Sequence, residues 1–178
     1  MSYAEDLVIL VDRDDRQIGL DEKMKVHREG ILHRAFSVFL FDEAGRFLLQ
    51  RRARHKYHSG GLWSNACCSH PRPGESVKEA AGNRLQEEMG IGCRLTRAFD
   101  FIYQARVGDL VEHEFDHVFV GRFDGVAEPN VEEVMDWRWL EPGDLQTQLK
   151  FNSSDYTPWF GIAAARAAAH YSGDPWIQ

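Results

Sequence analysis

Glu112, Glu114 and Asp116 stand at alternate positions of a β-rich run from Val111 to Gly121. Side chains alternate across a strand, so these carboxylates share one face, and Val111, His113, Phe115, His117 and Phe119 share the other. Like charges so placed repel unless water or a cation compensates them. A solvated edge strand meets that need most simply, because charged runs usually face water. A metal site is the alternative, since carboxylates and neutral imidazoles together suit Mn²⁺, Zn²⁺ or Fe²⁺. Its nitrogen donors would be His70 together with His27 and His33, which flank a Glu29-Gly30 turn able to fold both rings toward one ion. His55, His58, His113, His117 and His170 are expected to be structural or surface residues.

Three further groups have chemical potential. The run Gly61 to Pro71 carries adjacent thiols, Cys67 and Cys68, just before His70. Both could be small packing residues of a buried strand. Extended geometry would instead put Cys68 and His70 on one face, as an acid–base thiol beside a metal, with Cys67 on the other. Glu75, Glu79, Glu87 and Glu88 belong to a helical run where solvation is the simpler role for any one of them. Arg46, Arg51, Arg52, Arg54 and Lys56 form a basic stretch without an acid, and Lys23 and Lys25 add to it. That stretch is either a surface loop or a patch for a phosphate-rich ligand.

The whole chain limits what these groups can serve. Its 178 residues fit a single domain spanning 1–178, long enough for a proper core. The net charge of −7 argues against a nucleic-acid or membrane-surface binder, which would need a broad basic face. The apolar runs Leu7 to Val11 and Val38 to Phe41 are far too short to span a bilayer, and Glu5-Asp6 does not suit a signal peptide. Three cysteines make no disulfide framework, so a cytoplasmic location is expected.

The elements that must position the site follow from pattern. Leu7 to Val11 reads as a strand, and Ala35 to Phe41 and Phe47 to Arg51 as a hairpin across Asp42-Glu43-Ala44-Gly45. Ala53 to Gly61 reads as a loop. Ser76 and Glu79 form a capping box before a helix whose apolar stripe is Val77, Ala81, Leu85 and Met89, and Gly90 ends it. Two long strands, about Leu95 to Gln104 and Leu110 to Phe123, join at Val107-Gly108-Asp109. A last strand, Asp136 to Leu140, precedes a helical tail that includes Ile162 to His170. Many strands, one strong central helix and terminal helices predict an α/β (α+β) fold, a mixed β-sheet sandwiched between helices.

Glu75-x11-Glu87-Glu88-Met89-Gly90-Ile91 resembles the Nudix box, in which glutamates hold Mg²⁺ against a diphosphate. Ser69 stands where that box opens with Gly, and Asn83-Arg84 where it has Arg-Glu, which argues against ordinary Nudix hydrolysis. From Lys23 to Trp159 the chain resembles type I isopentenyl diphosphate isomerase, a Nudix-like family. The markers are Lys23 through His33, Gln50-Arg51-Arg52-Ala53, Trp63-Ser64-Asn65, Cys68-Ser69-His70-Pro71, Gly74-Glu75, Glu112-x-Glu114, Glu133-Val134-Met135-Asp136 and Tyr156-Thr157-Pro158-Trp159, all in the family's order.

The resemblance implies a reversible 1,3-allylic proton shift between isopentenyl and dimethylallyl diphosphate, in isoprenoid biosynthesis. It implies that His27, His33, His70, Glu112 and Glu114 bind one divalent metal, Mn²⁺ or Zn²⁺. Cys68 becomes the catalytic thiol and Glu114 also the opposing acid–base group. Glu88 becomes the ligand of a Mg²⁺ that accompanies the diphosphate, which Lys23, Arg52, Lys56 and Arg84 contact. Tyr103 falls beside the metal-bound acid, and Trp159 faces the reacting carbons. The expected partner is a small-molecule diphosphate, with no nucleic acid or membrane, and the expected state is a monomer. The competing readings are a Nudix hydrolase of a nucleoside diphosphate derivative and a non-catalytic metal-binding module. The module would leave Trp159 and the basic stretch without a purpose.

Overall fold

A computed structural model describes residues 7–173 of the chain; Glu5-Asp6 lies outside the described residues. The elements in order are β1 (Leu7–Val11), β2 (Gln17–Glu22), α1 (Lys23–Glu29), β3 (His33–Phe41), β4 (Phe47–Arg52), β5 (Trp63–Ser64), β6 (Cys67–Ser69), α2 (Val77–Met89), β7 (Leu95–Val107), β8 (Leu110–Arg122), β9 (Val134–Leu140), α3 (Pro142–Phe151), a 3₁₀ turn (Ser153–Asp155) and α4 (Pro158–Gly173). Among the described residues the nine strands form one mixed sheet.

β3 organises that sheet. One edge pairs in parallel with β8 along its whole length, from His33↔Glu114 to Phe41↔Arg122. The other edge is shared in succession by β1 at His33, β6 at Phe36–Val38 and β4 at Leu40–Phe41. Beyond β8 lies its long antiparallel partner β7, and β4 goes on to pair with β9 and β5.

Alternation along β3 then divides the core in two. Phe36, Val38 and Leu40 face α2, where Ala81, Leu85 and Met89 supply the expected stripe. Phe39 and Phe41, with Val118 and Val120 of β8, face Phe160, Ala163, Ala164 and Ala167 of α4. Each fully buried Phe contributes roughly 2 kcal/mol to this arrangement. The sheet is thus covered by helices on both faces, as the pattern of elements predicts.

Three expectations need correction. The acidic strand β8 is not an edge strand, because β3 and β7 flank it, and Glu112, Glu114 and Asp116 are all buried. The stretch before His33 holds two unanticipated elements. β2 is an exposed strand whose alternating Ile18 and Leu20 stay open to solvent, held by pairing with β1, and α1 is a short helix with no side-chain N-cap. The basic stretch does not form one patch. Arg46 turns to Asp42, Arg51 to the Gly61 carbonyl and Lys25 to Asp21, which leaves Lys23, Arg52 and Lys56 at the cleft described below.

α2 has the predicted ends. Ser76 Oγ accepts from the Glu79 amide, Glu79 accepts from the Ser76 amide, and Gly90 is left-handed at φ 66°. A Cβ on Gly90 would sit 2.7 Å from the Glu128 carbonyl oxygen, whereas one on Gly74, also at positive φ, meets nothing within 4 Å. Gly90→Ala should therefore cost roughly 1–3 kcal/mol, and more than Gly74→Ala, read as a lower denaturant midpoint at unchanged m. Equal losses would show that strain alone, not crowding at Glu128, decides the site.

Candidate active site

Strand register collects the site. His33 pairs with Glu114 across β3 and β8, and Tyr103 pairs with Glu114 across β7 and β8. Partners directly opposite lie on one face, so all three converge, and Tyr103 Oη donates to Glu114 Oε2 at 2.6 Å. Cys68 pairs with Ser37 on that same face, whereas Cys67 pairs with Val38 and enters the core against α2. Helix α1 brings Lys23 and His27 to the site one turn apart, and left-handed Gly30 reverses the chain toward His33. The His27 and His33 rings end 4.7 Å apart between centroids, as the Glu29-Gly30 turn predicts.

The imidazole nitrogens converge. His33 Nε2 lies 3.2 Å from His70 Nε2 and 3.6 Å from Glu114 Oε1, which is 3.0 Å from His70 Nε2. One donor atom each from His27, His33, His70 and Glu114 fits within 4.8 Å of all the others. Glu112 falls outside this set and forms an overlapping one with His27 and His58. His58, expected to be structural or at the surface, is thus part of the site. The other expectation holds for His113, bonded to the Gly30 carbonyl, and for His117, buried between Asp15 and Asp100.

These residues fit a divalent cation. Nδ1 of His27 donates to the Lys23 carbonyl and Nδ1 of His33 to that of Ile31, at 2.7 and 2.9 Å. Each Nε2 therefore points into the site, and the His33 and His70 Nε2 atoms, 3.2 Å apart, would set lone pair against lone pair unless a cation or proton lies between them. His27 Nε2 and both Glu112 oxygens are buried without an aligned hydrogen bond. Burial pushes His70 down to about 3, so its ring is neutral and able to coordinate. Burial opposes ionisation of Glu114, but His33 and His70 hold its carboxyl well below the usual range.

A cleft of about 430 Å³ opens onto this cluster, lined by Cys68, His70 and Glu114, by Trp159, by the cations Lys23, Arg52, Lys56 and Arg84, and by Glu88 and Glu133. Burial pushes the Cys68 thiol up to about 11, with Arg52 opposing it from 3.6 Å. Arg84 pairs with Glu88 at 2.6 Å and reaches Glu133, which also pairs with Lys56. The remaining helix glutamates have other work: Glu75 bonds the Arg72 amide and Asn83, Glu79 caps α2, and Glu87 meets Arg84 at the surface.

Two motifs far apart in sequence meet at the cleft wall. Trp63 bridges to Tyr156, and Ser64 Oγ bonds Thr157 Oγ1 at 2.9 Å. Trp159 Nε1 then donates to Ser64 Oγ and Asn65 Oδ1 at 3.0 and 3.1 Å, so the buried indole is fixed in orientation. Tyr57 and Glu133 also line the cleft. Tyr57 carried no sequence signal, and Glu133 was visible only as part of a motif.

Residues 31–160 match the NUDIX domain family. The fold agrees: a crystal structure of a Deinococcus radiodurans protein superposes with TM-score 0.77 at 17% identity, covering 90% of this chain and 98% of that one. A MutT protein from Methanosarcina mazei gives 0.64 at 19% identity, covering 80% and 96%. This is a Nudix-domain protein. Sequence relatives narrow the class. An isopentenyl-diphosphate Delta-isomerase from Burkholderia multivorans is 54% identical over 92% of this chain and 93% of its own. One from Serratia proteamaculans is 52% identical, covering 88% of each. The chain belongs to the isopentenyl-diphosphate Delta-isomerase family. Among the described residues no helix is long and apolar enough to cross a membrane.

Convergent imidazoles imply that a cation stabilises the folded state. Adding Mn²⁺ or Zn²⁺ to chelator-treated protein should raise the melting temperature, by an amount reflecting about 2.7 kcal/mol at a hundredfold excess over Kd. His33→Ala should lose that shift. An unchanged melting curve for the wild type would contradict the metal assignment.

Proposed function

We propose that the chain interconverts isopentenyl diphosphate and dimethylallyl diphosphate by a reversible 1,3-allylic proton shift. The observation that carries this is one cleft holding a thiol, a buried carboxylate and an oriented indole beside four cations. Protonating an unactivated alkene makes a tertiary carbocation, which water or the diphosphate would trap. The site must therefore be dry, move a proton at each end of the allylic unit, and shield the positive charge.

Cys68 and Glu114 are the proton-moving pair. The Cys68 thiol, pushed up by burial, holds its proton near neutral pH and so presents no thiolate to capture a cation. Glu114 keeps its second oxygen bonded to Tyr103, which orients the carboxyl toward the cleft. His27, His33, His70 and Glu114, with Glu112 adjoining, would hold the divalent ion, Mn²⁺ or Zn²⁺, whose charge alters the acidity of the Glu114 carboxyl. The Trp159 face stabilises a desolvated cation by roughly 2 kcal/mol.

Lys23, Arg52, Lys56 and Arg84 receive the diphosphate, and its binding energy holds the reacting carbons in place. Glu88 would hold a Mg²⁺ that accompanies the diphosphate and would offset its charge. Pyrophosphate hydrolysis is not favoured, because Arg84, where the Nudix box carries a glutamate, is an ion-pair partner of Glu88.

The adjacent thiols test this reading. Cys68→Ser should lower isomerisation by roughly 10²–10⁴-fold, because a hydroxyl is a far weaker acid than a thiol. Cys67→Ser should keep most activity and lose roughly 1–3 kcal/mol of stability, through a hydroxyl buried in the apolar core. Both are read by product formation from isopentenyl diphosphate and by denaturant titration. The reading fails if Cys67→Ser is the inactive variant.

A further inference from the structure

His58 belongs to none of the family's markers and has no part in the proposed reaction, yet it is 8% exposed and its Nε2 lies 2.6 Å from Glu112 Oε1. The other oxygen, Oε2, faces His27 Nε2 at 3.4 Å. Neither Glu112 oxygen has a further hydrogen-bond partner, and the His58 and His27 rings are the groups that face them. At 2.6 Å a carboxylate oxygen and a bare ring nitrogen would set lone pair against lone pair, so the His58 proton sits on Nε2. The ring itself is held in place. Tyr57 and Trp159 meet it edge-on at 4.2 and 5.9 Å between centroids, and its carbonyl accepts from Arg52 Nη2 at 3.4 Å.

We propose that His58 is a positioning residue for the metal centre. By engaging Glu112 Oε1 it confines that carboxylate to one orientation, in which Oε2 alone is offered, beside His27, to a divalent cation. Glu112 then acts as a one-oxygen ligand and cannot chelate with both. Direct coordination by His58 fits less well. Neighbouring ligand atoms 2.0–2.2 Å from one ion lie about 3 Å apart, whereas His58 Nε2 and Glu112 Oε1 stand closer than that, at 2.6 Å. The inference rests on the metal reading of the Proposed function.

The test is the dissociation constant for Mn²⁺ and Zn²⁺, by chelator competition, in wild type, His58→Ala and His58→Gln. Pulsed EPR of the Mn²⁺ forms counts the coordinated imidazoles. His58→Ala should bind roughly 10–100-fold more weakly, the usual effect of losing an outer partner of a metal ligand. His58→Gln should regain most of that affinity through its amide N–H, and the imidazole count should be the same in all three. If His58→Ala does not fold, His58→Leu fills the same space without the donor and takes its place. Equal affinity with and without the donor overturns the inference, as does an imidazole count that falls by one when His58 is replaced. If the wild type binds neither ion, the metal reading itself fails and takes this inference with it.

Discussion

Burying an ionised carboxylate costs several kcal/mol unless opposite charge and hydrogen bonds compensate it. β8 buries Glu112 and Glu114 on one face, two positions apart, so Glu114 also raises the cost of ionising Glu112. The surrounding architecture answers that cost. The parallel register of β3 against β8 places His33 opposite Glu114, and the antiparallel register of β7 places Tyr103 there. Helix α1 adds His27, and the segment after β6 adds His70. These rings turn their Nε2 atoms inward, and a divalent cation among them would complete the compensation. A shift of one residue in any of these registers would turn the relevant side chain to the opposite face.

The same geometry separates similar residues by the layer they face. Cys67 and Cys68 are neighbours in sequence, but their partners on β3 are Val38 and Ser37, which face opposite layers. Four glutamates of the α2 region differ in the same manner, and only Glu88 is buried at the cleft. The opposing wall is equally determined. The bonds of Ser64 and Asn65 to Trp159 set the indole face, and they join the strand before the thiols to the helix after the 3₁₀ turn.

Much of this was legible in the chain. Period-two alternation placed Glu112 and Glu114 together, and placed Cys68 with His70 away from Cys67. The capping box and Gly90 marked α2 to within a residue. What sequence could not supply was pairing between distant strands. The acidic face of β8 read most simply as solvated, since nothing local reveals that β3 and β7 cover both its edges. α1 carries no apolar stripe, and β2 offers only Ile18 and Leu20, both exposed, so its pairing with β1 is what holds it. His58 was missed because a histidine in a polar loop gives no periodic signal, and only folding brings it to Glu112. The basic stretch is divided because Asp42 and Asp21, each four residues away, pair with Arg46 and Lys25.

The central claim is that this cleft moves protons across an allylic unit while leaving the diphosphate whole. It is tested most directly by incubating the metal-loaded protein with isopentenyl diphosphate in D₂O and following the mixture by ¹H and ³¹P NMR. The account predicts dimethylallyl diphosphate carrying deuterium in the methyl group formed from the terminal methylene, with the diphosphate signals intact. Release of inorganic phosphate or pyrophosphate without deuterated allylic product would contradict it.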